Sequence, residues 1–145
     1  MSNDYPLVSI IIPTYNSSDY ITETLTKLEK QTYPNFEIVI VNDGSKDNTS
    51  SVLREYGLTH SRLIIINKEN GGVSSARNTG IRKAQGQFIC FMDDDDEIDP
   101  NYLLKMYSRQ HETGGDAIYC GLYGHHIKNV LEIPFHIHLF SKKDS

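Results

Sequence analysis

Short apolar runs alternate with amphipathic stretches along most of the chain. Four runs are almost wholly apolar and rich in β-branched residues, and they cover residues 7–12, 37–41, 63–66 and 88–92. Continuous apolar runs of this length are typical of strands that are buried on both faces of a parallel sheet. The pattern therefore predicts four such strands, with a fifth over residues 117–122 and another within residues 130–139, where Pro134 interrupts it.

Between the strands, apolar side chains recur at the spacing of an α-helix. The stripes lie within residues 21–28, 47–56, 73–84 and 103–107. For the last of these helices, Asp99 is the expected N-cap and Pro100 the expected first residue. Strand–helix alternation predicts an α/β fold with an open, mostly parallel sheet flanked by helices. A chain of 145 residues is expected to form a single domain over residues 1–145.

Composition and charge describe an ordinary globular protein. The hydrophobic fraction is 38% and the formal net charge is −5, and the acids of residues 93–97 account for all of that charge. Because there is no basic face, nothing suggests that the chain binds nucleic acid. The N-terminus lacks the features of a signal peptide, and the apolar runs are too short to cross a membrane. Cys90 and Cys120 lie in apolar strands, as expected of buried thiols, so a cytoplasmic location is predicted.

Polar turns follow all four of the predicted parallel strands, at residues 13–16, 42–45, 67–72 and 93–96. Ligands of open α/β sheets bind outside the carboxyl ends of the strands, so these turns are expected to meet at one site. The last turn consists of four aspartates, which repel one another unless a cation relieves them. Mg²⁺ and Mn²⁺ take such oxygen ligands together with substrate phosphates, so this turn predicts a metal site. The alternative is a solvated acidic turn ahead of the next helix.

The other turns carry side chains that suit a nucleotide. Asp43 could accept a hydrogen bond from the imide N–H of a base such as uracil, or it could close a turn ahead of Gly44. Tyr15 could stack on a base or cover the core. The glycines at residues 71–72 allow close approach of the backbone to a ligand and open a helix whose N–H groups attract anions. Arg77 could pair with a diphosphate or with an aspartate of the acidic turn, or it could form a surface ion pair of little value.

Several signatures of other nucleotide enzymes are absent from the sequence. No G-x-G-x-x-G follows the first strand and no G-x-x-x-x-G-K-[ST] occurs, which argues against a dinucleotide dehydrogenase and a P-loop enzyme. A nucleotidyltransferase would share the sheet and the metal chemistry, but its Gly-rich basic loop after the first strand is missing. His136 and His138 would share one face of a strand, yet two histidines, even with His125 and His126 in the same region, do not make a metal site.

Four ordered segments carry a resemblance to a known family. They are residues 8–16 (VSIIIPTYN), 41–45 (VNDGS), 70–80 (NGGVSSARNTG) and 91–96 (FMDDDD). Their order and spacing, which extend from about residue 8 to residue 107, resemble those of the family 2 glycosyltransferases, which have the GT-A fold. The resemblance implies transfer of a sugar, with inversion, from a nucleotide donor, most often a UDP-sugar, to a saccharide or lipid-linked acceptor. Surface polysaccharide or glycolipid synthesis is the implied setting.

The resemblance also implies roles for individual residues. The nucleotide-binding positions that it implies are Pro13, Thr14, Tyr15, Asp43, Asn70, Arg77, Asp93 and Asp94. Pro13, Tyr15 and Asp43 would hold the nucleobase. Arg77 and Asn70 would flank the diphosphate, and Asp94 would reach the ribose. Asp93 and Asp95 take the catalytic positions of the family's D-x-D motif, with Asp95 as the more direct ligand of Mn²⁺ or Mg²⁺.

The acceptor side of the family is not recognisable in this chain. Members usually carry a further segment that supplies the catalytic base, and neither Asp116 nor Glu132 matches the motif of that base. We therefore expect a truncated chain that keeps the donor part, and the alternative function is a fragment that binds UDP and metal without transferring sugar. Apolar surface exposed by truncation would favour a homo-oligomer. A lipid-linked acceptor would bring the protein to the inner face of the membrane as a peripheral protein.

Overall fold

The computed structural model describes residues 4–120 and 137–141. The strands in these residues are β1 (Val8–Thr14), β2 (Phe36–Asp43), β3 (Leu63–Lys68), β4 (Phe88–Phe91), β5 (Ala117–Cys120) and β6 (Ile137–Ser141). The helices are α1 (Ile21–Leu28), α2 (Thr49–Gly57), α3 (Val73–Lys83) and α4 (Tyr102–Thr113). The strands form one sheet in the order β3-β2-β1-β4-β6-β5. The first four strands are mutually parallel, whereas β6 runs antiparallel to both of its neighbours.

The prediction of an open, mostly parallel sheet is confirmed. β1 and β2 are buried along their whole length, while β3 at the edge of the sheet is mostly half-buried. The strand predicted over residues 117–122 is present and is described as far as Cys120. Of the strand predicted within residues 130–139, the described part begins at Ile137. The other predictions for this region lie outside the described residues; they concern Pro134, His125, His126 and His136.

Side chains of β1 alternate between two core layers on opposite faces of the sheet. Ile10 and Ile12 join the layer that contains Leu25 of α1, and Ile11 joins the layer that contains Ala76 of α3. All five side chains are fully buried. Burial of an aliphatic side chain contributes about 1.5–3 kcal/mol, so both layers hold the helices firmly against the strand. Cover on both faces also explains why β1 has no polar alternation in its sequence.

The start of α4 differs from the prediction. The helix begins at Tyr102 with Asn101 as its N-cap, whereas Asp99 and Pro100 form the turn that precedes it. Asp99 Oδ1 accepts the N–H of Asn101 at 2.9 Å, so its side chain closes this turn and does not cap the helix. The N–H of Leu103 is instead accepted by Oε1 of Gln31, which lies in the connection before β2, at 3.0 Å. The cap therefore comes from a distant segment.

Of the two cysteines, Cys90 is buried in β4, as predicted. The side chain of Cys120 lies outside the described residues. In the part of the chain that the structure describes, no helix has both the length and the apolar character needed to span a bilayer.

Gly80 allows α3 to lie directly on the sheet. A Cβ at this position would clash with Cγ2 of Ile11 and would lie 3.4 Å from Cγ2 of Val41. We expect Gly80→Ala to lower the free energy of unfolding by about 1–3 kcal/mol, because the helix must move away from the strands. Urea denaturation followed by circular dichroism measures the change. Asn78→Ala, at an exposed position of the same helix, should remain within about 0.5 kcal/mol of the wild type. Equal losses from both variants would show that packing at Gly80 is not the cause.

Candidate functional site

A cleft of about 370 Å³ opens at the carboxyl edge of the parallel strands, beside the start of α3. Its lining residues are Pro13, Thr14, Tyr15, Asp43, Val73, Arg77, Asp93, Asp94 and Asp95. The turns after β1, β2 and β4 meet here, which is where an open α/β sheet binds ligands. Asn70 was predicted to belong to the site but is not part of this lining, and its Nδ2 donates to the carbonyl of Asp43 at 2.9 Å. Val73 was not predicted, and it contributes an apolar side chain that is half-exposed.

Asp43 ends β2 and is buried, with a side chain only 6% exposed. Its Oδ1 accepts hydrogen bonds from Nζ of Lys68 at 2.6 Å and from the N–H of Gly71 at 3.0 Å, and its Oδ2 accepts from the N–H of Gly72 at 2.8 Å. Burial alone would raise the pKa of Asp43, but Lys68 and the two amides lower that pKa below its ordinary value. The ionised carboxylate therefore stabilises the fold at pH values above the unfolded-state pKa. This stabilisation is lost as the pH falls through the lower folded-state pKa.

These hydrogen bonds decide between alternatives that the sequence leaves open. The turn ahead of Gly44 is closed by Asn42, whose Oδ1 accepts the N–H of Ser45 at 3.2 Å, so Asp43 does not close it. The amides of residues 71–72 donate to the carboxylate of Asp43 in this structure, so the anion that they bind here belongs to the chain itself. Asp43 thus fixes the loop that leads into α3.

Lys68 belongs to the site although the sequence analysis did not predict it. It ends β3 directly opposite Asp43 in the parallel register of β2 and β3. Its ammonium also donates to the carbonyl of Glu69 at 2.6 Å, and its side chain is 20% exposed. The signal that would have found it is the presence of a cation and an anion at the ends of two adjacent strands.

Arg77 and Asp93 form an ion pair in the cleft. Nη2 of Arg77 lies 2.7 Å from Oδ1 of Asp93, and the two side chains are 36% and 53% exposed. A pair this exposed contributes at most about 1 kcal/mol to stability. Its importance is positional, because it holds the guanidinium group of Arg77 beside the acidic turn. Of the alternatives left open for Arg77, pairing with an aspartate of that turn is observed, and the exposure of the pair also agrees with a surface ion pair of little value.

Asp94 anchors the acidic turn to the end of β1, to α1 and to the segment between them. Its carboxylate accepts hydrogen bonds from the hydroxyls of Thr14, at 2.7 Å, and Ser17, and it lies 3.4 Å from the hydroxyl of Tyr20. Its carbonyl accepts the hydroxyl of Thr24 at 2.8 Å. The last three partners lie between 70 and 77 residues earlier in the chain, so no local pattern reveals them.

Asp95 and Asp96 have opposite environments. Asp95 is exposed, and its carboxylate forms no hydrogen bond or ion pair within the described residues. Asp96 is half-buried, and its Oδ2 accepts the N–H of Asp93 at 3.2 Å. Burial raises the pKa of Asp96, and the other three aspartates of the turn raise it further against the opposing effect of that hydrogen bond. Asp95 is therefore the carboxylate most available to a ligand.

The acidic turn fits a divalent cation through two of its carboxylates. Over residues 4–120 and 137–141, no three or more His, Cys, Asp or Glu side chains are grouped to hold a metal by themselves. Asp95 is exposed and Asp93 is more than half-exposed, so both can supply oxygen ligands, whereas Asp94 is engaged by hydroxyls. One or two carboxylates completed by substrate phosphates is a common ligand set for Mg²⁺.

Asp94 has several hydrogen-bond partners, whereas the carboxylate of Asp95 has none among the described residues, so the two positions can be compared directly within one turn. Asp94→Ala should lower the free energy of unfolding by about 1–3 kcal/mol, because several hydroxyls lose their acceptor. Asp95→Ala is the matched control and should change it by no more than about 0.5 kcal/mol. Urea denaturation in the presence of EDTA measures both variants. Equal effects would contradict the anchoring role of Asp94.

Solved structures contain the same fold. The chain is similar to S. aureus TarS 1-349 in complex with UDP-GlcNAc, with 35% identity and a TM-score of 0.76 over 85% of this chain and 36% of that chain. It is also similar to the mannosyltransferase PcManGT from Pyrobaculum calidifontis in complex with GDP-Man and Mn²⁺, with 30% identity and a TM-score of 0.75 over 81% of this chain and 36% of that chain. The GT-A fold class predicted from the sequence is confirmed by these similarities and by the sheet order.

Sequence relatives lead to the same family. The uncharacterized glycosyltransferase EpsJ of Bacillus subtilis is 39% identical over 118 residues, which are 81% of this chain and 34% of EpsJ. Glycosyltransferase GlyA of Streptococcus pneumoniae is 35% identical over 132 residues, which are 91% of this chain and 18% of GlyA. The chain thus spans about a third of the length of EpsJ and less than a fifth of that of GlyA. The sequence model of glycosyl transferase family 2 matches residues 9–143, and the chain belongs to this family.

Proposed function

We propose that this chain forms the donor-binding part of a metal-dependent, inverting glycosyltransferase that uses a UDP-sugar. The observation that carries the proposal is the meeting of three polar turns and the start of α3 in one cleft, with a cation, an aromatic ring and exposed carboxylates. Similarity to proteins solved with UDP-GlcNAc and with GDP-Man and Mn²⁺ supports a nucleotide-sugar donor. Residues 1–145 are proposed to act as one domain.

The turn after β1 and the end of β2 are proposed to hold the nucleoside. Tyr15 is 44% exposed in the cleft, so its ring is available to stack on a base, and Pro13 adds apolar surface beside it. Asp43 offers a carboxylate oxygen to an N–H of the base. Thr14 and Asp94 are already joined by a hydrogen bond, and ribose hydroxyls would extend that polar network.

The other side of the cleft is proposed to hold the diphosphate and the cation. Arg77 supplies positive charge for the phosphates, and Asn70 supports this side through its hydrogen bond to the main chain of Asp43. Asp95 and Asp93 would hold Mn²⁺ or Mg²⁺, because theirs are the exposed carboxylates of the turn that line the cleft. When bound, the ion neutralises negative charge that develops on the departing nucleoside diphosphate.

The acceptor is proposed to bind to residues that do not line the donor cleft. Asp116 precedes β5, which runs parallel to β4, so Asp116 lies at the amino edge of the sheet, away from the cleft. It therefore cannot act as the catalytic base at this site, and Glu132 lies outside the described residues. We propose a saccharide or lipid-linked acceptor, in synthesis of surface polysaccharide or glycolipid at the inner face of the membrane.

The position of Asp116 also favours a second candidate function. If no base comes from the residues beyond those that the structure describes, the chain by itself would bind UDP and metal but would not transfer sugar. Incubation with a UDP-sugar and candidate acceptors separates the two functions. Release of UDP coupled to a glycosylated product supports the enzyme, whereas tight UDP binding with no product supports the binding fragment.

Calorimetric titration of UDP tests the proposed donor site. Binding is expected with Mn²⁺ and should weaken by about tenfold or more in EDTA, because the phosphates lose their counter-charge. Asp95→Asn should remove the difference between the two conditions without changing thermal unfolding in EDTA. Asp116→Asn changes an exposed aspartate at the opposite edge and should behave as the wild type. Equally tight binding in both conditions would eliminate the metal from the proposal, and no binding would eliminate the donor site.

Removal of the Asp43 carboxylate tests the proposed contact with the base. Asp43→Ala should weaken UDP binding by about tenfold or more both with Mn²⁺ and in EDTA, because a hydrogen bond to a charged acceptor is lost. The same titration measures the effect, and circular dichroism of the variant reports whether the sheet is retained. An affinity equal to that of the wild type would exclude Asp43 from base recognition.

A further inference from the structure

We infer that Lys68 is a positioning residue that sets the nucleobase preference of the cleft through Asp43. Lys68 does not line the cleft, and it reaches the donor site only through its hydrogen bond to Asp43. Its ammonium and two backbone amides hold the Asp43 carboxylate so that one acceptor position is left over. The inference rests on the proposed function, because it concerns which base that same site accepts.

The acceptor positions of Asp43 can be counted. A carboxylate has about four, two on each oxygen. Oδ1 uses both of its positions, on Nζ of Lys68 and on the N–H of Gly71, while Oδ2 uses one on the N–H of Gly72. Asp43 lines the cleft, so a bound base can meet the one acceptor position that remains on Oδ2.

A single free acceptor matches one kind of base edge. Uracil presents one N–H, at N3, between two carbonyl groups, so it supplies one donor to the carboxylate. Cytosine presents its donor at the N4 amino group, beside a lone pair at N3 that the carboxylate repels, so it fits the remaining acceptor position less well. Guanine presents two adjacent N–H donors, at N1 and N2, and one of them would be left without an acceptor, at a cost in affinity. The arrangement around Asp43 therefore favours a uracil-type base.

Lys68 is the part of this arrangement that can be changed without altering the backbone. It is fixed at the end of β3, in register with Asp43, and its second hydrogen bond to the carbonyl of Glu69 restricts the ammonium further. Among the groups that lower the pKa of Asp43 against the effect of burial, Lys68 has the largest effect. Loss of the ammonium would free one of the two acceptor positions on Oδ1 and leave only the two amides to hold the carboxylate, so the match to one base edge would be weakened.

Titration with UDP and CDP in the presence of Mn²⁺ tests the inference. The two nucleotides share the ribose and the diphosphate, so the ratio of their affinities isolates the base. The wild type should prefer UDP by about tenfold or more. Lys68→Met should reduce that ratio by about tenfold, chiefly through weaker UDP binding. Lys83→Met, at an exposed position near the end of α3, is the matched control and should keep the wild-type ratio.

Each outcome separates a positioning role from a structural one. If Lys68 only supported the loop, both affinities would fall by the same factor in Lys68→Met, and the unchanged ratio would overturn the inference while leaving the proposed function intact. A wild type that binds neither nucleotide would overturn the proposed function and the inference together. Lys68→Gln keeps an N–H donor but removes the charge. If Lys68→Met does not fold, the ratio of the UDP and CDP affinities is measured on Lys68→Gln instead.

Discussion

The parallel register of β1 with its two neighbours determines where the polar turns lie. Ile11 of β1 pairs with Phe91, the last residue of β4, and the N–H of Met92 donates to the carbonyl of Ile11 at 3.1 Å. The chain therefore leaves β4 three residues before β1 ends, and the acidic turn runs beside the remainder of β1. This is why Asp94 reaches Thr14. A slip of one residue would move every side chain of β4 to the other face and would separate these groups.

The fold accommodates four consecutive aspartates by giving each a different environment. Asp93 pairs with Arg77, Asp94 is surrounded by hydroxyls, and Asp96 accepts a main-chain N–H. Only Asp95 is left without such a partner among the described residues. Charge repulsion is thus reduced at three of the four positions. The negative charge at the fourth position, Asp95, is left to attract a cation. A solvated acidic turn, the alternative left open by the sequence, would not require this division among the four side chains.

The sequence predicted the architecture well because burial on both faces of the sheet leaves a strong local pattern. It predicted that all four polar turns meet, because the ends of parallel strands lie at one edge. The turns after β1, β2 and β4 line the cleft, whereas residues 67–72 after β3 do not. The sequence failed where a partner comes from a distant segment. Gln31 supplies the cap of α4 from outside that helix, and Ser17 binds Asp94 across 77 residues of chain. Lys68 is an intermediate case, because its contact with Asp43 follows from strand register once the neighbouring strands are known.

The two ends of β2 show how similar hydrogen bonds have different consequences at the two edges of the sheet. Each end carries a buried carboxylate, Glu37 at the amino edge and Asp43 at the carboxyl edge. Oε1 of Glu37 accepts the hydroxyl of Ser9 at 2.6 Å and the N–H of Gln85 at 2.8 Å, while the N–H of Gly86 donates to Oγ of Ser9. These bonds draw the loop before β4 tightly over the strands. At the carboxyl edge the polar turns are drawn to one another instead, by Asp43 and Asp94, and the space between them is the cleft. The same chemistry, a carboxylate bound by hydroxyls and amides, therefore closes one edge of the sheet and shapes an opening at the other.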